Sequence, residues 1–187
     1  MATLTGEWVR SGSRLPLDIV RLTEADWRTL AEVRLRALRD SPAAFPVDCE
    51  KEQGRVPQEW RDRLADSDWV VARRETDGEI VGLAHLTAEP KPDHGPYPPA
   101  EVRYIESVWV APSARRQGVS QRMIQALEAQ ARQDPQIRSL LLWVLAGNHV
   151  AWNVYQRLGF VPTRERKHRF YTSDATYVWE RRMRKML

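Results

Sequence analysis

Residues 115 to 120 read Arg115, Arg116, Gln117, Gly118, Val119 and Ser120, between a strand-like run and a helix-like run. Two adjacent cations crowd a helix start, where the helix dipole favours anions. A glycine sits in the same turn, although glycine is costly inside a helix. A bound phosphate resolves both conflicts. A helix N-terminus at the end of a parallel strand presents unpaired N–H groups, and these together with the dipole suit a phosphate. The glycine lets the backbone approach the ligand, and the guanidiniums add charge-assisted hydrogen bonds. A loop with exposed arginines and a turn glycine is the alternative that local residues leave open.

Other phosphate and nucleophile motifs are absent. The chain has no GxxxxGK[ST], no GxGxxG and no GxSxG, which excludes an ordinary P-loop and argues against dinucleotide and α/β-hydrolase sites. Cys49 is the only cysteine, so no intrachain disulfide forms and a reducing, cytoplasmic setting is expected. As a nucleophile Cys49 lacks a neighbouring histidine in sequence, and it reads as an inert loop thiol. His85, His94, His149 and His168 are scattered without metal-site spacing, so no metal is expected and they read as structural or surface residues.

With 187 residues, 42% hydrophobic and 29% charged, the chain has the composition of one globular domain. No apolar run approaches the roughly 20 residues that span a bilayer, and the N-terminus lacks a secretory h-region, so no membrane partner is expected. The first hundred residues hold 14 Lys and Arg against 18 Asp and Glu, and the rest hold 15 against 7. A basic C-terminal half suits an anionic ligand and an acidic N-terminal half a cationic one.

The elements that must position this loop follow from periodicity. An irregular arm over 1–14 precedes a single domain over 15–187. A strand is expected at 17–22, then a helix over 25–39 capped by Thr23, with Trp27, Leu30, Ala31, Leu35 and Leu38 at helical spacing. SPAAF breaks it, and a second helix starts at Pro57. Strands at 68–74 and 79–86 meet at Asp77-Gly78, a hairpin turn. The proline-rich 89–100 segment is a stiff loop leading to the strand 102–110. A helix presents Val119, Met123, Ile124, Leu127 and Ala131 on one face, and the continuous apolar run 139–145 reads as a strand covered on both faces. Strand, helix and buried strand make a right-handed crossover with parallel strands. A helix over 149–158 closes at Gly159, and strands follow at 161–170 and 176–184. The class is α/β with a mixed sheet.

On these elements, VWVAPSARRQGVS resembles the acetyl-CoA signature of the GCN5-related N-acetyltransferases (GNAT), Q/R-x-x-G-x-G/A, which falls on Arg115, Gly118 and Ser120. NHVAWNVYQRLGF resembles the second signature through Asn148, Ala151, Tyr155, Gly159 and Phe160. The resemblance covers roughly 17–184 and implies a mixed, mostly antiparallel sheet with a splayed parallel pair in the middle and helices on both faces. It departs at Ser120, where the family has Gly or Ala; serine is small and can cap a helix, so tight but slightly altered pyrophosphate contacts are expected.

The resemblance implies acetyl-CoA as acyl donor and an amine as acceptor, with direct transfer. Residues 115–121, ending at Gln121, would hold the pyrophosphate. The pantetheine arm would lie in the splay, bonded by backbone at Val108, Trp109 and Val110, where a bulge would free an N–H for the oxyanion. Asn148 would position the arm, with a helix N-cap as its structural alternative. Tyr155 takes the general-acid place: a phenol with pKa near 10 can protonate a thiolate whose acid has pKa about 8.5. Glu106 is the candidate base. Strict alternation puts it on a face with Tyr104, Val108 and Val110, where a carboxylate is raised in pKa or paired, a salt bridge to an arginine being the alternative. Trp27, Trp60 or Trp109 is expected beside a cationic amine.

The acceptor is expected to be a small primary amine, held by 39–56, the 102–110 face and 171–176, with the protein a monomer or homodimer. A protein N-terminus or lysine is the second enzyme reading. A nucleic-acid-binding module, suggested by the basic run RERKHRFY at 164–171 and a pI near 9.5, ranks below both, as does an inactive acyl-CoA-binding protein.

Overall fold

The structure, a computed structural model, describes residues 15–45, 47–88, 98–170 and 177–187. The expected arm over 1–14, most of the proline-rich loop and the 171–176 loop lie outside these residues.

Seven strands form one sheet: β1 (Leu17–Arg21), β2 (Ser67–Arg74), β3 (Ile80–Thr87), β4 (Val102–Val110), β5 (Ser139–Leu145), β6 (Val161–Phe170) and β7 (Tyr177–Met186). Their order is β1-β2-β3-β4-β5-β7-β6, and only β4 and β5 run parallel. The helices are α1 (Trp27–Asp40), α2 (Cys49–Gln53), α3 (Pro57–Asp66), α4 (Val119–Ala131) and α5 (His149–Arg157). The mixed, mostly antiparallel sheet with its central parallel pair is therefore as expected.

Two local readings change. A short 3-10 turn over Glu24–Asp26 precedes α1, so Thr23 caps that turn rather than α1 itself: its carbonyl accepts the Asp26 N–H at 2.8 Å, and its own N–H and hydroxyl donate to the Asp26 carboxylate at 2.8 Å. The segment after SPAAF holds the unforeseen α2, too short for a periodic signal, started by Asp48 accepting the Glu50 N–H at 2.8 Å.

α4 covers one face of the sheet. Its approach depends on Gly82 of β3, where an added Cβ would stand 2.9 Å from the Met123 sulfur and 3.1 Å from Val119. Val110 pairs with Gly82 and so projects to the α4 side, while Trp109 pairs with Leu83 and projects to the other, where its indole reaches the end of α1.

Two irregularities shape the centre. β3 pairs Leu83 with Trp109 and His85 with Glu106, so Ala84 alone opposes Ser107 and Val108, and Ser107 takes φ 56°. This is a β-bulge, and it shifts the alternation by one. Glu106 shares its face with Tyr104, as expected, but then with Trp109 rather than Val110. The second irregularity is the splay. β4 and β5 pair only from Val102–Tyr104 to Ser139–Leu141, whereas β5 pairs with β7 along its whole length. The parallel strands therefore diverge toward Val110 and Leu145.

Candidate active site

A cavity of about 970 Å³ fills the divergence, walled by the ends of β4 and β5, the start of α4 and one side of α5. Glu106, Val108, Trp109, Val110, Arg115, Arg116, Gly118, Val119, Ser120, Gln121, Asn148 and Tyr155 all line it. Of the residues read from the sequence as site residues, only Gln117 does not, its side chain donating to the Ser113 carbonyl at 3.1 Å.

The loop between β4 and α4 turns through two left-handed residues, Arg116 at φ 66° and Gly118 at φ 78°. Gly118 holds the N-cap of α4, so Ser120 lies inside the first turn and is not the cap. The first bond back along the helix is from the Arg122 N–H to the Gly118 carbonyl at 3.1 Å, which leaves the N–H groups of Val119, Ser120 and Gln121 without intrahelical acceptors. The two arginines divide. Arg115 ion-pairs with Asp40 of α1, and its Nε donates to the Val110 carbonyl at 3.0 Å, so it ties the loop to the sheet and to α1. Arg116 is exposed and has no partner among the described residues.

Asn148 is the N-cap of α5, its Oδ1 accepting the Ala151 N–H at 3.1 Å. Tyr155, two turns along α5, is buried edge-on against Phe160, and burial pushes its phenol up to about 12. Such a group stays protonated at neutral pH.

A second pocket of about 550 Å³ abuts the first. The two share Arg34, Val47, Glu106 and Ser107, so the β4 bulge is the partition between them. Glu106 faces His85, whose Nε2 lies 3.9 Å from its carboxylate, and His85 stacks on Trp69 with ring centroids 4.0 Å apart. Of the tryptophans expected near an amine, Trp109 lines the larger cavity; Trp69 and Trp143, not Trp27 or Trp60, are the others at these pockets. The acidic excess of the first hundred residues does not dominate the second pocket either, where Arg34 and Arg63 stand with Asp66 and Glu106.

Arg34, His85 and Trp69 were not foreseen, and Arg34 had a signal. Leu30, Arg34 and Leu38 are spaced four apart on the buried stripe of α1, so a cation stands where the pattern asks for an apolar residue. Burial pushes the Arg34 guanidinium down to about 10. Beneath it, fully buried Glu52 of α2 accepts both Nη atoms of Arg63 at 2.8 Å.

The basic run is only partly free. Lys167 turns inward over the Trp143 ring at 4.0 Å and toward Glu180 at 3.9 Å, and Glu165 pairs with Arg182, leaving Arg164 and Arg166 exposed. Among the described residues, no cluster of three or more His, Cys, Asp and Glu is arranged to hold a metal, and no helix is long and apolar enough to cross a membrane.

Among curated proteins, none matches the sequence. Solved structures do. The ribosomal-protein-alanine N-acetyltransferase of Brucella melitensis is 25% identical at a TM-score of 0.68, over 91% of this chain and 99% of that one. A GCN5-related N-acetyltransferase of Kribbella flavida is 22% identical at 0.67, over 91% and 98%. Arabidopsis thaliana NAA60 in complex with acetyl-CoA is 19% identical at 0.67, over 91% and 98%. The acetyltransferase (GNAT) family matches residues 31–160, from within α1 through the loop between β4 and α4 to beyond the end of α5. That match takes in more than half of the sequence, with β4, β5, α4 and α5, so the chain belongs to the GNAT family and is an acetyltransferase.

Proposed function

We propose that this acetyltransferase takes acetyl from acetyl-CoA and passes it directly to the primary amine of a small molecule. The observation that carries this reading is the meeting of two pockets at one β-bulge. The larger has the shape and the helix N-terminus for a nucleotide-bearing thioester, and the smaller is a bounded space for an acceptor. In this reading the pyrophosphate lies on the N–H groups of Val119, Ser120 and Gln121, with Arg116 adding charge, and the arm lies between β4 and β5.

The chemistry asked of the chain is modest. Glu106 takes a proton from the incoming ammonium, directly or through a water, and the free amine attacks the thioester carbonyl. The N–C bond forms, the carbonyl oxygen takes the negative charge, and a backbone N–H released by the bulge stabilises it. When the oxygen's electrons return, the C–S bond breaks and the thiolate takes its proton from Tyr155. A phenol near 12 giving its proton to a thiolate of about 8.5 is uphill by about 5 kcal/mol, offset once the newly acylated nitrogen, a strong acid, gives its own proton to the Tyr155 phenolate, directly or through a water, which restores the acid. Cys49 lines neither pocket, which supports transfer without a covalent acyl-enzyme.

The similarity to a ribosomal-protein-alanine N-acetyltransferase favours a second reading, a protein N-terminus as acceptor. Calorimetric titration with acetyl-CoA, with dephospho-CoA as control, followed by thiol release with small amines and N-terminal peptides, tests both. Micromolar binding with turnover on small amines upholds the proposal; turnover confined to peptides favours the second reading; no binding refutes both.

A further inference from the structure

Arg34 is 5% exposed on the apolar stripe of α1, where a guanidinium is stable only with an anion or a full set of acceptors. It has one hydrogen bond, from Nη1 to the Ser107 hydroxyl at 3.0 Å, and its guanidinium carbon lies 4.8 Å from the centre of the Phe45 ring. Its Nε is buried with no acceptor, and no carboxylate comes within 4.0 Å of it among the described residues. The nearby Glu52 cannot serve, since Arg63 holds both its oxygens at 2.8 Å and the Arg55 Nε lies 3.4 Å from one of them. Yet Arg34 lines both pockets at their partition. A buried cation with its own valence unfilled therefore stands at the place where donor and acceptor would meet.

The donor does not supply the missing anion, because the thioester end of acetyl-CoA is uncharged and its phosphates belong at the α4 end. We infer that the acceptor supplies it: a short amino acid whose carboxylate binds Arg34 while its amine lies at Glu106. This rests on the transfer reading above. Arg34 bonds Ser107, and Glu106 is the preceding residue, with consecutive α-carbons about 3.8 Å apart. An amine and a carboxylate bracketing that step are separated by a few bonds, as in an α- or β-amino acid. The Trp69–His85 stack in the same pocket offers a flat wall for the acceptor's side chain. A bidentate contact to the planar guanidinium would also set the amine's direction of attack.

The test compares each of the twenty proteinogenic amino acids with its carboxamide, which keeps the amine and removes the carboxylate. Binding is read by ligand-detected NMR and calorimetry on the free protein, and transfer by thiol release with acetyl-CoA. At least one acid should bind and react with a specificity about tenfold or more above its amide. Arg34→Gln should abolish that preference, and Arg34→Lys should keep part of it. The inference is overturned if no acid outperforms its amide in wild type, a comparison that needs no variant to fold. It is also overturned if Arg34→Gln lowers acid and amide alike. Carboxylate binding that depends on Arg34 without transfer to any amine would sink the transfer reading and leave the carboxylate site standing.

Discussion

Arg115 and Asp40, 75 residues apart in sequence, form the ion pair that fixes the loop between β4 and α4 against the end of α1. Asp40 also accepts the Trp109 indole N–H at 2.9 Å, and although partial burial opposes ionisation, these donors and Ser41 hold its carboxyl below the usual range. One carboxylate thus joins α1, β4 and the loop before α4. Asp40→Ala strands the indole N–H, which costs about 1–3 kcal/mol, and frees the loop. The melting temperature should fall by about 2–4 °C per kcal/mol, and the dissociation constant for acetyl-CoA should rise about tenfold. Unchanged affinity with lowered stability would limit Asp40 to packing.

Tyr155→Phe should lower turnover at saturating acetyl-CoA by about a hundredfold or more and leave cofactor affinity within about twofold. Its raised pKa makes a second, independent readout. The phenol titrates near 10 when unfolded and near 12 when folded, so its stabilisation is complete below pH 10 and is lost as pH climbs through 12. Two units amount to about 3 kcal/mol. Between about pH 9 and 11 the urea midpoint of wild type should therefore fall faster than that of Tyr155→Phe. Parallel falls would mean that the phenol is solvated in the folded protein.

For Glu106→Gln, kcat/KM for the acceptor should drop about a hundredfold near pH 7. The deficit should narrow as pH rises toward the acceptor amine's own pKa, because a free amine needs no base. A deficit that stays constant with pH would assign Glu106 to binding and remove it from proton transfer.

A Cβ built at Gly118 meets no protein atom within 4 Å, so only its φ of 78° and the ligand's space call for glycine there. Gly78, at φ 73° in the β2–β3 turn and equally open, is the matched control. Both Val substitutions should cost about 1–3 kcal/mol of backbone strain. Only Gly118→Val should also weaken acetyl-CoA binding, by about tenfold or more, because its side chain enters the space of the phosphate. Equal affinity in the two variants would refute the phosphate assignment of this loop.

What the sequence by itself determined was the order of the strands and of the longer helices, and the backbone-built half of the candidate site. Strands and helices announced themselves through apolar periods of two and three to four, and the loop from Arg115 to Ser120 through a glycine and cations at a helix start, all features of neighbouring residues. Asn148 and Tyr155 were legible because they sit about two turns apart on one face of α5. The tertiary structure alone decided where side chains distant in sequence meet. Arg115 was read as facing a phosphate, but its guanidinium goes to Asp40, an ion pair that no local pattern encodes. The bulge at Ser107 turns Trp109 and Val110 to faces opposite from simple alternation, since one extra residue against Ala84 resets the period. Arg34 was visible as a misplaced cation on the stripe of α1. Its meaning came only from the packing of α1, α2 and β4, which commits Glu52 to Arg63 and Arg55 and leaves the guanidinium facing the space between two pockets.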